Sequence, residues 1–251
     1  MRLLISTLII TIFAVLINSC KEEKPPVIVE ESNSLKITVQ PVFGTQTLYL
    51  DSTYTTFQGH DVQFTDIKFY AENIRNGSKV LLDAALFDYR ATGITLFDVK
   101  GEPVDYSSLQ ANLGVDSAIN HDDPTAFDNA SMLNIANAND MHWGWNPGYI
   151  FVKIEAKVDT IQDANPLFNH NVVFHIGADV NLQTFSFTGI NWQAIGAYQY
   201  LFPLKLDLAV FLENGAQTID LKNEYSSHTA PGQEILSMKV ITNFKAAMSE
   251  Y

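Results

Sequence analysis

The sequence predicts an all-β protein: an antiparallel β-sandwich with one C-terminal amphipathic helix. Three observations lead there. Short segments alternate apolar and polar residues at period two, turn-rich loops separate them, and only the stretch after Pro231-Gly232 repeats apolar residues at helical spacing. With one cysteine there is no internal disulfide, so a hydrophobic core must hold the fold. A composition of 47% hydrophobic and 12% aromatic residues supplies one.

Taken in order, Leu35, Ile37 and Val39 alternate with Lys36, Thr38 and Gln40 until Pro41 interrupts the pattern. Val62 and Phe64 share one parity, and Ile67 and Phe69 the other, which predicts a bulge near Asp66. Leu109, Ala111, Leu113 and Val115 form another strand pattern. So do Ile150, Val152, Ile154, Ala156 and Val158, set against Tyr149, Phe151, Lys153 and Glu155. Val172, Phe174 and Ile176 line one face of the next strand, with Val173, His175 and Gly177 on the other. Phe185 with Phe187, then Leu204, Leu206, Leu208 and Val210, complete the strands. The helix is expected over Gln233 to Met248, with Ile235, Met238, Ile241 and Phe244 on its packed stripe. Between Asp116 and Asn139 the chain has little regular pattern; a loop that long inside one domain is usually functional.

The chain begins MRLLISTLIITIFAVLINSC. Arg2 supplies a positive start, and an apolar run of about 15 residues follows, shorter than a comfortable membrane span. Residues 1–19 therefore read as a lipoprotein signal peptide, with cleavage before Cys20 and acylation of its thiol. Residues 20–34, ending in the charged, Pro-containing KEEKPPVIVEESNS, read as a flexible tether, and 35–251 as a single domain. An outer-membrane lipoprotein facing the periplasm or the cell surface is the expected location; Lys21-Glu22-Glu23 resembles a surface-export signal. A net charge of −13 argues against nucleic acid and against anionic lipid headgroups.

Nothing in the pattern marks an enzyme: there is no nucleophile elbow, phosphate loop or Ser/His/Asp spacing. Asp116, Asp122, Asp123 and Asp128 do not have the spacing of an EF-hand loop. The six histidines form no tight metal motif, so any two-histidine site must be assembled from distant segments. His121, in the long loop, and His175, beside small Gly177 on its strand face, stand out. His60, His170 and His228 are expected elsewhere on the surface. The segment NDMHWGWNPGYIFVKIE (139–155) places Trp143 and Trp145 in a Gly/Asn/Pro turn, where large aromatics often serve binding.

The ordered set LGVD (113–116), NHDDP (120–124), DMHWGWNPGYIFVKIE (140–155) and FHIG (174–177), with FYAENI (69–74) upstream, resembles the MbnP-like copper-binding protein family. That resemblance spans essentially the whole mature chain. It implies a copper-binding envelope protein, with a MauG-like di-haem enzyme as partner that oxidises a tryptophan to kynurenine. It carries His121 and His175 over as metal ligands, and Trp143, Trp145, Asp140 and Met141 as lining or modified residues. His142 departs from the family pattern, where an aromatic is more usual, and is either an added ligand or a solvent-facing residue. Two readings compete: a surface carbohydrate- or protein-binding module in which exposed Trp143, Trp145 and Tyr149 stack on a ligand, and a structural outer-membrane lipoprotein in which the aromatic turn simply closes the sandwich.

Overall fold

The computed structural model describes residues 31–251 apart from 145, 146, 162, 164, 169 and 216. Cys20, the expected signal peptide and most of the expected tether lie outside the described residues, as does Trp145. Residues 32–251 form one compact unit.

The strands, in chain order, are β1 (Ser34–Phe43), β2 (Gln46–Thr47), β3 (Thr53–Thr55), β4 (Asp61–Asn76), β5 (Lys79–Asp88), β6 (Thr95–Lys100), β7 (Ser108–Leu113), β8 (Ile150–Asp159), β9 (His170–Gly177), β10 (Gln183–Thr188), β11 (Gln193–Gly196), β12 (Gln199–Asp207), β13 (Ser226–Ser227) and β14 (Met248–Glu250). The helices are α1 (Tyr89–Thr92), α2 (Ser117–Asn120), α3 (Leu208–Leu212) and α4 (Glu234–Ala247). No helix among the described residues is long and apolar enough to cross a membrane.

Two sheets face each other, as the alternation predicts. In the first, β1 lies between β12 on one side and β6 with β2 on the other; β11 and β14 flank β12. Pro41 does not end β1, because it falls in the gap between the β6 and β2 pairings, where its missing N–H is not needed. The second sheet is built on the long β4. On one side β4 pairs β3 and then β5; on the other it pairs β8 and then β7. Beyond β8 come β9 and β13, and beyond β7 comes β10.

The expected bulge is present. Register shifts between Phe64 and Asp66 keep Val62, Phe64, Ile67 and Phe69 all in the core. The same shift turns Asp66, Lys68 and Tyr70 to the outer face.

Three expectations need correction. The sandwich is not purely antiparallel: β1 pairs β12, and β13 pairs β9, in parallel. The strand expected to reach Val210 ends at Asp207, whose carboxylate accepts from Ala209 and Val210 N–H and so caps α3. Helix α4 falls where expected, but its buried residues are Ser237, Val240, Ile241, Asn243, Phe244 and Ala247. Ile235 is 85% exposed, and Met238 also reaches solvent. The helix is rotated about its axis: Phe244 packs on Phe69 and Phe211, and Val240 and Ala247 join it in the core where Ile235 does not.

Candidate functional site

The site is built on the outer face of the second sheet. There the chain between β7 and β8 folds back and lays Met141, Leu133 and Val115 over Tyr70, Leu86 and Phe151, forming a second, smaller core. Met141 and Tyr149 are 0% exposed. Tyr70 donates to Met132 O at 3.1 Å and meets the Tyr149 ring edge-on, while Tyr149 Oη donates to Leu133 O. Burial, together with the charge of Asp122, pushes the Tyr149 hydroxyl up to about 12, so it stays a donor. The aromatic-platform reading thus loses Tyr149. Met141 packs a core and presents no thioether to solvent.

The region Asp116–Asn139, which looked patternless, is ordered by local capping. Asp116, Asp123 and Asp128 each accept a backbone N–H two residues on, and Asn134 caps a 3-10 turn at Ile135–Asn137.

Asn120, at the end of α2, is almost fully buried and joins three segments. It accepts from Tyr149 N–H at 2.8 Å, and donates to Pro147 O at 3.3 Å and to Asp179 Oδ1 at 2.9 Å. Gly148 permits this: its φ is +92°, and a Cβ there would meet Asn120 O at 2.4 Å. Asp179, two residues beyond the end of β9, collects Ser117 Oγ at 2.5 Å and His121 Nε2 at 3.0 Å on its other oxygen. Burial alone would raise the Asp179 carboxyl. The hydrogen bonds from Ser117, Asn120 and His121 outweigh it and hold the group below its ordinary value. His121 is therefore fastened to the end of β9.

His175 sits two positions before Gly177 on the same face. Its Nε2 lies 2.8 Å from Glu155 Oε1, and that oxygen is 3.4 Å from Lys153 Nζ. Lys153 and Lys68 both reach Asp66, at 3.3 and 3.6 Å, and Lys68 reaches Asp88 at 3.1 Å. A chain of alternating charges thus runs under the loop to the imidazole. For His175, burial outweighs the attraction of Glu155 and depresses its proton affinity, which favours the neutral ring. Glu155 is held below the ordinary carboxylate range: burial opposes this, but the bond to His175 and the charge of Lys153 prevail.

Trp143 lies over Gly177. A Cβ at Gly177 would stand 2.6 Å from Trp143 Cζ3 and 2.5 Å from Tyr149 O, so only glycine lets the indole lie on the strand. The ring therefore occupies the position next to His175 on one strand face. His142 pairs with Tyr149 across a β-bridge, meets its ring edge-on at 4.6 Å, and accepts from Gly144 N–H through Nδ1. Burial lowers its proton affinity too. Asp140 is exposed, with φ +64°.

His228 is where the sequence reading went astray. Expected elsewhere, it is exposed, but its ring stands 4.9 Å from that of His175 at 89°. Glu155 and Asp179 were also missed; only proximity in the fold marks them.

The MbnP family model matches residues 32–231. The chain belongs to the MbnP family. The match takes in β1 through β13 and every residue of the site just described. No curated protein matches the chain. Among solved structures it is similar to "MbnP from Methylosinus trichosporium", at 13% identity and a TM-score of 0.46. That alignment covers 75% of this chain and 79% of that one.

Among the described residues of this MbnP domain, no three His, Cys, Asp or Glu side chains gather as a metal-ligand group. The two histidines expected as ligands are held by separate carboxylates, His121 by Asp179 and His175 by Glu155.

Proposed function

We propose that this MbnP-family chain is a copper-binding lipoprotein of the cell envelope, a binding protein and not an enzyme. Cys20 carries its anchor, and the outer membrane holds it, facing the periplasm or the exterior. Its partner is a MauG-like di-haem enzyme that oxidises a tryptophan of the 143–145 turn to kynurenine. His175 and His121 are the imidazoles expected from the resemblance.

The single observation that supports this reading best is the seat of the Trp143 indole on Gly177, two residues from His175 on the same face of β9. The donor set suits copper. Glu155 accepting from His175 Nε2–H leaves the Nδ1 lone pair for a metal, and Asp179 does the same for His121. Imidazole donors with an aromatic wall suit the cuprous ion, which accepts few ligands. When bound, copper contributes a soft, low-coordinate centre. The protein's own task is to orient the imidazoles and keep water off that face with the indole.

Protein purified from its native host tests the reading. Metal analysis should find copper, and peptide mass spectrometry across residues 140–157 should find kynurenine in place of one tryptophan. Copper at background level in that protein would overturn the metal reading. Replacing Cys20 with Ser should release the chain from the membrane fraction; a variant that stays membrane-bound would overturn the anchor.

A further inference from the structure

The short strand β13 is held unusually firmly for its length. It pairs β9 in parallel, Ser226 with Val173 and Ser227 with Phe174, so the next step of the register sets His228 beside His175. Ser227 Oγ and Ser237 Oγ, both fully buried, lie 2.8 Å apart and tie the strand to α4. The His228 N–H donates to Gln233 Oε1 at 2.8 Å. Thr229 then adopts φ +55°, which a β-branched residue rarely tolerates. Its hydroxyl accepts from Gly177 N–H at 3.1 Å and donates to His175 O at 3.4 Å. The strain is absorbed in keeping this segment flush against β9 on either side of His175.

The ring geometry fits a shared ion. Two imidazoles bound to one metal at about 2 Å have ring centroids roughly 4.5 to 6.3 Å apart, according to the angle at the metal. The His175–His228 separation of 4.9 Å lies within that span. Glu155 approaches His175 from β8, on the opposite side from β13, so the bond that orients His175 leaves its other flank to His228. His228 is exposed, and an ion arriving from solvent meets it first. His121 is likewise held through Nε2, but by Asp179 beyond the end of β9, whereas His228 is set directly beside His175.

We infer that His228 is the imidazole that pairs with His175 in the metal site, beside the Trp143 indole. This deepens the copper reading and rests on it. It adds a residue outside the motifs that carry the family resemblance, and it leaves His121 as the residue fastened to Asp179.

The test uses mature chain purified from its native host, where the proposed tryptophan oxidation can occur, stripped of metal and titrated with Cu(I) against a chromogenic chelator. Wild type should bind one ion. His175→Ala and His228→Ala should each weaken binding at least tenfold, and His121→Ala should weaken it less than either. His228→Gln should lose affinity like the alanine variant while melting within a few degrees of wild type, which separates ligation from folding. X-ray absorption should show one imidazole fewer in the His228 variant. His228 variants that bind like wild type while His175→Ala fails would overturn the inference and leave the copper reading standing. So would a His121 loss that exceeds the His228 loss. A wild-type chain with no Cu(I) affinity would overturn both.

Discussion

The two faces of the second sheet are built from the same strands but by different chemistry. The inner face, against the first sheet and α4, is apolar throughout: Phe64, Ile67, Phe69, Val152, Ile154, Phe174 and Ile176 meet Leu204, Leu206 and Phe244. The outer face interleaves a small aromatic core with Asp66, Lys68, Asp88, Lys153, Glu155 and His175. An apolar layer is stabilised by area and tolerates small shifts. Buried charges tolerate none, because each depends on a particular partner. The face that needs partners is the one that positions the histidines and Trp143.

The largest effect is expected on the inner face. Phe244→Ala removes a fully buried ring that packs on Phe69 and Phe211, and should cost about 3–5 kcal/mol. Chemical denaturation should show the whole domain losing stability in one transition; a loss confined to the 116–149 loop would contradict the division of labour.

On the outer face, Lys68→Ala should cost about 3 kcal/mol, because it strips Asp66 and Asp88 of a shared cation in a site nearly closed to solvent. Lys68→Ala paired with Asp88→Ala should recover part of that loss. If the double variant is simply the sum of the singles, the charge chain is not coupled.

Gly177→Ala drives a methyl into Trp143 and Tyr149 O, and should cost about 1–3 kcal/mol as the indole lifts off β9. A red-shifted tryptophan emission should accompany it. An unchanged spectrum would mean that the indole does not depend on that glycine.

The smallest effect concerns pH. Asp179 has its folded carboxyl held below the ordinary value, so the clamp it makes contributes stability above the unfolded aspartate range. That contribution is lost as pH falls through the folded value. Hydrogen exchange at residues 116–121 should therefore accelerate on acidification, corrected for intrinsic rates. Asp179→Asn should make the acceleration disappear.

Much of the inner face was legible in the sequence. Period two alone assigns Val172, Phe174 and Ile176 to one side and His175 and Gly177 to the other, because consecutive side chains of a strand must alternate. The parity change between Phe64 and Ile67 likewise reveals the bulge, since a core face cannot switch sides without an extra residue. Gly177 next to an isolated histidine was enough to mark β9 as a place with room.

The tertiary structure alone decided what occupies that room. Trp143 reaches Gly177 from more than thirty positions away, His121 meets a carboxylate that no local pattern marks, and His228 comes alongside His175 from a two-residue strand too short to carry any periodicity. Period and spacing report only the face a residue takes on its own element. Which elements become neighbours depends on how the whole core closes, and that is a sum over long-range contacts with no local sequence signature.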